Sequence, residues 1–252
     1  MDIGKAFTFI PEDKEWLKKI AIGGVLTLLP VANFIPQGYA LRVMRNVATD
    51  EPAPLPEWSD WGGDLKKGFM WWVAMAVYAI PIILLGIVFS ILGAATGGAS
   101  SEEVSGVLGI ATLCMNCLMG LYALLMAVVL PAAMVRFADK WSLKDAFELG
   151  AIKALITKKP GAYATAIVVA MLGAMAGSLG SIACVIGVIF TTFYGTLAGM
   201  HALGQFAADH LQPGLDVRDR QPGPPREVVD RGRSVPGEVA ARNRPVQGSA
   251  KQ

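Results

Sequence analysis

Two cysteines separated by two residues are the first candidates for chemistry in this sequence. The run Cys114-Met115-Asn116-Cys117 would place both thiols on one face of a helix, as a metal site or a redox pair requires. A structural zinc site normally has four protein ligands. The sequence has no second pair and no histidine nearby, and Cys184 alone would leave the set incomplete. We therefore interpret the pair as structural and predict no metal and no cofactor.

His201 is the second candidate, because it lies near the end of the charge-free run from Pro160 to Ala208. An ionisable side chain within such a run is a functional candidate by default. The run contains no acidic partner for a proton relay, so we expect a neutral imidazole that hydrogen-bonds across helices. His201 is kept as a candidate functional residue on this basis.

Acid–base groups for catalysis could come from Glu57, Asp60, Asp64 and His210. General acid–base catalysis requires such groups within hydrogen-bond reach of one another and of a substrate. Here they are distributed along stretches typical of solvated loops, with neither the spacing of metal ligands nor a nucleophile elbow. The sequence thus favours a protein that is not an enzyme.

The segments that carry these residues are strongly apolar. Of the 252 residues, 54% are hydrophobic and 17% are charged, which lies outside the usual range for soluble domains. The net charge of +2, without a basic run interleaved with aromatics, argues against a nucleic-acid partner. A helix crosses a bilayer with roughly 20 apolar residues, and four charge-free runs are at least that long: Ile20 to Leu41, Gly68 to Ser101, Val104 to Val135 and Pro160 to Ala208. The last run is long enough for two crossings.

All 22 lysines and arginines lie outside these runs. Because basic loops stay in the cytoplasm, we predict that loops 42–67 and 136–159 and the chain after residue 208 are cytoplasmic. A straight crossing by the first run would place its four preceding lysines on the outer face. The sequence therefore favours an all-α polytopic protein of the cell membrane, with four crossings plus one N-terminal broken or re-entrant helix. Five crossings are the alternative.

The first run contains residues that could turn the chain back. Each proline removes a helix donor and crowds the preceding turn. Backbone groups freed at membrane depth must then be buried against protein or lie beside water, which makes such a break a candidate for function. The candidate functional residues of this broken helix are Gly23, Gly24, Pro30, Asn33, Pro36 and Gly38.

Two further patterns concern packing and the membrane interface. Small residues four apart allow two helices to approach closely. We expect such an approach within the chain, with a homodimer face as the alternative, at Gly173, Gly177, Gly195 and Gly199.

Tryptophans near the ends of apolar runs are typical of anchors at the lipid headgroups. The predicted interfacial anchors are Trp16, Trp58, Trp61, Trp71, Trp72 and Trp141.

The sequence resembles an uncharacterised bacterial and archaeal membrane family catalogued as domain of unknown function 4013. The matching residues are Trp16-Leu17-Lys18-Lys19-Ile20 running into Gly23-Gly24, then Leu29-Pro30, Gly38 to Val43, and the stretch from Leu55-Pro56-Glu57-Trp58 to Gly68. The resemblance covers about Phe7 to Ala208. It implies a polytopic membrane protein and assigns no substrate, cofactor or catalytic residue.

Two regions follow from these patterns: a helical transmembrane domain over residues 1–208 and a disordered cytoplasmic tail over 209–252. From Gln212 onward the tail has six prolines and no aromatic residue, so it buries too little apolar surface to offset its ordering entropy. The favoured hypothesis is a membrane-embedded interaction or organising protein, whose partners are the lipid bilayer and a homo-oligomer or another membrane protein. The alternative is a small transporter or channel-like component that uses the broken first helix.

Overall fold

The computed structural model describes residues 2–96, 102–180 and 185–211. All regular secondary structure within these ranges is helical, in agreement with the predicted all-α class. The nine helices of the described residues are α1 (Ile3–Thr8), α2 (Trp16–Thr27), α3 (Phe34–Ala48), α4 (Trp61–Thr96), α5 (Glu102–Lys140), α6 (Leu143–Ala146), α7 (Leu149–Lys158), α8 (Pro160–Leu179) and α9 (Val185–Leu211).

Several helices continue through the charged residues of the predicted loops. Loop 42–67 contains the last turns of α3 and the first turns of α4, and loop 136–159 contains the end of α5 together with α6 and α7. Helix α9 extends to Leu211, three residues into the predicted tail, and the remainder of that tail lies outside the described residues. Charged residues favour an aqueous environment over an apolar one, but they do not end a helix.

The first apolar run is broken, as the sequence predicts, but with a different role for one of its prolines. Pro30 lies in the turn between α2 and α3, whereas Pro36 is the third residue of α3. The first N–H groups of a helix have no intrahelical partner, so proline is tolerated in this turn. Pro36 therefore lies in the first turn of α3 and does not break the helix.

Helix α9 lies at the centre of the packing, because α1, α2, α3, α5 and α8 all contact it. Its buried side chains include Phe193, Leu197 and Phe206, which join the main apolar core. On α5, the hydroxyl of Tyr163 from α8 accepts a hydrogen bond from the Ala132 N–H at 3.1 Å and donates one to the Val128 carbonyl. These groups flank Pro131, whose ring interrupts the backbone hydrogen bonds of α5.

In the part of the chain that the structure describes, three helical stretches are long and apolar enough to cross a membrane: Trp61–Ile91, Gly109–Lys140 and Pro160–Gly177. In their most apolar windows only 6%, 17% and 28% of the residues are buried inside the protein, so most of their apolar side chains face outward. Within the described residues α9 is not among these stretches. The fourth predicted crossing, which α9 would provide, remains a prediction.

Candidate functional site

The first apolar run forms a helical hairpin made of α2, the turn at residues 28–33, and α3. The turn is closed by its own backbone, since the N–H groups of Leu28 and Asn33 donate to the carbonyls of Val25 at 3.1 Å and Leu29 at 2.8 Å. The side chains at the tip are apolar and exposed, with Leu28 at 60% and Val31 at 70%. The hairpin thus presents an apolar tip whose backbone is partly satisfied internally.

The two polar ends of this hairpin meet at Lys19. Its side chain is 3% exposed, and its ammonium group lies 2.7 Å from a carboxylate oxygen of Asp13 and 2.6 Å from one of Glu57. It also donates a hydrogen bond of 3.2 Å to the Leu55 carbonyl. Asp13 precedes α2, while Leu55 and Glu57 follow α3. The chain before the broken helix and the chain after it therefore lie side by side.

The charges in this cluster stabilise one another. Burial alone would lower the pKa of Lys19, but hydrogen bonds to Asp13 and Glu57 outweigh it and hold the pKa above its usual range. Burial alone would raise the pKa of Asp13. Hydrogen bonds from the Lys19 ammonium and the Glu15 N–H outweigh this effect and hold the pKa of Asp13 below its usual range. Both groups are consequently charged around neutral pH.

An aromatic pair attaches the loop after α3 to the hairpin. The Trp58 indole stacks on the Tyr39 ring with centroids 4.0 Å apart and planes at 17°. Its N–H donates to the Lys19 carbonyl at 3.2 Å, and the Tyr39 hydroxyl donates to the Pro56 carbonyl at 2.9 Å. Trp58 is therefore part of the protein packing rather than a free anchor at the lipid headgroups.

Asp64 is buried, although the sequence predicts a solvated loop carboxylate. Its side chain is 0% exposed and lies 2.6 Å from the Arg42 guanidinium, which also donates to the Glu57 carbonyl at 3.1 Å. The second carboxylate oxygen of Asp64 lies 3.9 Å from the Lys67 ammonium and makes no hydrogen bond with any of the described residues. Asp64 is buried because α4 begins at Trp61, which places the carboxylate on a helix packed against α3 and not in a solvated loop.

Glycines allow α3 and α4 to approach each other so closely. A Cβ atom on Gly38 would overlap the backbone carbonyl of Asp64, and one on Gly68 would overlap that of Phe34. Gly23 and Gly24 have a similar role in α2, where added Cβ atoms would overlap the rings of Phe193 and Phe190 of α9. Gly23, Gly24 and Gly38 therefore lie inside α2 and α3 at contacts with a neighbouring helix, and the turn itself is formed by residues 28–33.

Asn33 is the polar residue of the turn. It precedes α3 without making a side-chain cap, and its buried amide oxygen has no hydrogen-bond partner. The predicted candidates of the broken helix therefore separate into packing glycines, a proline in the first turn of α3, and the turn residues Pro30 and Asn33. Sequence reasoning missed Lys19, Tyr39, Arg42 and Gly68.

His201 lies at a second polar site, near the end of α9. Its imidazole is 4% exposed and stacks on Phe9, with centroids 4.3 Å apart and planes at 29°. The Gln205 amide lies 3.1 Å from Nδ1, so the polar partner is on the same helix and not across helices as predicted. A cavity of about 710 Å³ beside the ring is also lined by the carboxylates of Asp2, Glu12, Asp50 and Glu51.

The paired glycines of α8 and α9 lie at the contact between these two helices. Cβ atoms on Gly173 and Gly195 would each approach the other residue's carbonyl oxygen too closely, and one on Gly177 would lie 2.9 Å from the Thr192 Cα. Gly199 faces Ala170, with its added Cβ 3.2 Å from the Ala170 Cα. The close approach of α8 and α9 thus depends on the absence of side chains at these positions.

The predicted tryptophan anchors divide by exposure. Trp71 is 4% exposed, and its indole belongs to the core. Trp16, Trp58 and Trp141 are partly buried against the same core. Trp61 and Trp72 are 42% and 55% exposed and remain available to an interface. The pattern of tryptophans near apolar ends does not distinguish core indoles from surface ones.

The cysteine pair lies on the exposed surface of α5. Cys114 and Cys117 are free and exposed on α5, and Cys184 lies outside the described residues. Within residues 2–96, 102–180 and 185–211, no group of three or more histidine, cysteine, aspartate or glutamate side chains is arranged to hold a metal ion.

The sequence model of a family described as a protein of unknown function, DUF4013, matches residues 24–186. The chain belongs to this family. The DUF4013 match includes α3, the loop between α3 and α4, and the Arg42–Asp64 pair, whereas Lys19 and His201 lie outside it. The resemblance inferred from the sequence is confirmed, over a shorter range than Phe7 to Ala208.

One curated relative, the uncharacterized protein MJ1189 of Methanocaldococcus jannaschii, is 34% identical over 74 residues. The alignment covers 29% of this chain and 25% of that protein, so the chain spans about a quarter of the length of the relative it matches. No solved structure matches the chain. The DUF4013 family is described only as one of unknown function, so the match indicates no biochemical activity.

Proposed function

We propose that this DUF4013 protein is an integral protein of the cell membrane that assembles with other membrane helices, in the first instance with copies of itself. The membrane part is supported by the three apolar helical stretches and by the placement of all 22 basic residues outside the apolar runs. In this proposal α4, α5, α8 and α9 cross the bilayer, and the α2–α3 hairpin enters it and returns.

The joined ends of the hairpin support the re-entrant arrangement. Lys19 before the break and Glu57 after it are 2.6 Å apart, so both ends belong on one face of the membrane. With loops 42–67 and 136–159 in the cytoplasm, the N-terminus would also be cytoplasmic. Reporter fusions at the N-terminus, Gly98 and Ser178 test this topology; an external N-terminus would contradict it.

The uncovered surface of α4 is the observation that carries the assembly proposal. Only 6% of its most apolar window is buried, and a Cβ on Gly86 would meet nothing within 4 Å. Ser90, four residues later, donates its hydroxyl back to the Gly86 carbonyl at 2.8 Å, which leaves a small and locally satisfied surface. The glycines of α8 and α9 contact each other within the chain, whereas Gly86 offers the same close approach to a helix from another molecule.

Native mass spectrometry of the full chain released from lipid nanodiscs tests the assembly. We expect a dimer or larger oligomer that Gly86→Leu converts to monomer, because the leucine would keep the backbones apart. Gly150→Leu on α7 is the matched control, since Gly150 is also helical and also has open space around it. A wild-type chain that is folded and monomeric at every protein-to-lipid ratio would refute the proposal.

Two alternative functions would place different demands on the structure. The transporter alternative would require the turn at residues 28–33 to face a permeation path, and its leucines and Val31 are instead exposed apolar side chains. An enzymatic function would require a substrate beside the acidic groups, and the absence of an enzymatic role remains a prediction.

A further inference from the structure

A cavity of about 420 Å³ lies among five helices, α3, α4, α5, α8 and α9. Its volume is within the range of roughly 300 to 1,000 Å³ that is common for small-molecule sites. The lining is largely apolar and includes Trp71, Met75, Pro131, Met134, Met200 and Leu203. Methionines adapt to irregular apolar shapes because they are unbranched and polarizable.

The cavity opens toward the apolar outer surface of the protein. Met75 is 38% exposed, and Ala174 on α8 is exposed as well, yet both line the cavity. At the other extreme, Trp71 is 4% exposed and Met200 is 7% exposed. A ligand would therefore enter from the side of the helices that faces lipid and reach into the core.

One uncommitted polar group faces this apolar space. The Gln37 side chain lines the cavity, and among the described residues its amide makes no hydrogen bond with the protein. Thr196, which also lines the cavity, already donates its hydroxyl to the Thr192 carbonyl at 2.9 Å. The amide of Gln37 can both donate and accept, so it suits a hydroxyl or an ester carbonyl.

The charge of the lining limits the ligand. No lysine, arginine, aspartate or glutamate is among the residues that form the cavity. An ionised headgroup would lose its hydration there without gaining a counter-charge, which is costly in an apolar environment. The site therefore favours an uncharged ligand over a fatty-acid carboxylate or a phosphate.

We infer that this cavity binds a neutral lipid of the monoacylglycerol type. Its acyl chain would lie against Trp71 and the three methionines, and its uncharged glycerol or ester group would hydrogen-bond with the Gln37 amide. This inference rests on the membrane residence proposed above, but it does not depend on assembly through Gly86.

Photolabelling of the full chain tests the site. The probe is a monooleoylglycerol analogue with a diazirine in its acyl chain, incorporated into phosphatidylcholine nanodiscs. We expect labelled peptides to contain Met75, Met134 or Met200, and unlabelled monooleoylglycerol to compete. A phosphatidylcholine with the same diazirine chain reports contact with bulk lipid, and we expect it to label the outer faces of α4 and α5 instead.

Two exposed alanines of α8 provide a matched pair of variants. Ala174→Phe would fill the mouth of the cavity and reduce labelling by roughly tenfold. Ala176 does not line the cavity, so Ala176→Phe would leave labelling unchanged. Gln37→Leu would remove the preference for monooleoylglycerol over phosphatidylcholine while still allowing an acyl chain to enter.

Labelling that is spread evenly over the outer faces, insensitive to Ala174→Phe and not reduced by the competitor, would overturn the inference. Equal labelling of the cavity by the neutral and the phosphatidylcholine probes in the wild-type chain would also overturn it. Oligomer formation by native mass spectrometry is measured on the same preparations. A failure of the lipid site with intact oligomers would therefore be distinct from a failure of the assembly proposal.

Discussion

Replacement of Arg42 by methionine should be among the most destabilising single changes at the contact between α3 and α4. The guanidinium of Arg42 lies 2.6 Å from a carboxylate oxygen of Asp64, whose side chain is 0% exposed. Methionine would keep much of the apolar stem of the arginine and remove the charge. The carboxylate of Asp64 would then remain buried with only Lys67, at 3.9 Å, as a nearby cation.

The magnitude follows from this arrangement. Removal of one partner from a buried ion pair typically costs about 3–5 kcal/mol, because the other charge stays buried without compensation. Lys67 is 19% exposed and can move toward Asp64, so we expect the lower part of that range, about 3 kcal/mol. Replacement of both partners by apolar residues of similar size is often close to neutral. The double variant Arg42→Met/Asp64→Leu should therefore recover most of the loss.

Unfolding of the purified chain by SDS in mixed micelles, followed by tryptophan fluorescence, measures these differences. Lys18→Met is the control, because Lys18 forms an exposed pair with Glu15, with side chains 67% and 53% exposed. Such surface pairs contribute up to about 1 kcal/mol. If Arg42→Met were no more destabilising than Lys18→Met, or if the double variant were worse than the single one, the argument from the buried carboxylate would be refuted.

Two further predictions concern the hairpin and the proline of α5. The Lys19–Asp13 pair should stabilise the protein fully between the ordinary pKa values of the two groups in the unfolded chain, about pH 4 and pH 10. Its contribution should be lost at low pH as the pH falls through the lowered pKa of Asp13 in the folded protein. It should be lost at high pH as the pH rises through the raised pKa of Lys19 in the folded protein. Lys19→Met should therefore flatten the pH dependence of the unfolding midpoint at both extremes, and an unchanged profile would count against the pair. Tyr163→Phe should destabilise the chain by about 1–3 kcal/mol, because the Ala132 N–H and Val128 carbonyl lose their hydroxyl partner; a loss below about 0.5 kcal/mol in the same unfolding assay would indicate that intrahelical bonds satisfy both groups.

The helical class and the break in the first run were predictable because they depend on local properties. Apolar length and the helix-breaking effect of Pro30 act over a few residues. The roles of Gly38 and Asp64 were not predictable, since they depend on which helix lies opposite. Gly38 carries no local signal that separates a turn from a close contact, and Asp64 becomes buried only because α4 begins three residues before it.

The tryptophans illustrate the same limit. Trp71 and Trp72 are neighbours in the sequence, yet one is 4% exposed and the other 55%. Successive residues on a helix point about 100° apart, so one member of the pair faces the core and the other faces outward. Composition near the end of an apolar run indicates that an indole is present but not which direction it faces.

The contacts between Lys19 and the loop after α3 can form only after the ribosome has synthesised that loop. The Leu55 carbonyl follows Lys19 by 36 residues, which a ribosome translating at about 5–20 residues per second supplies roughly 2–7 seconds later. During that interval the hairpin has its apolar tip but lacks the contacts that join its ends. Its final position is therefore decided by residues that emerge after it, and a truncated chain ending at Leu41 would be free to adopt an orientation that the complete loop excludes.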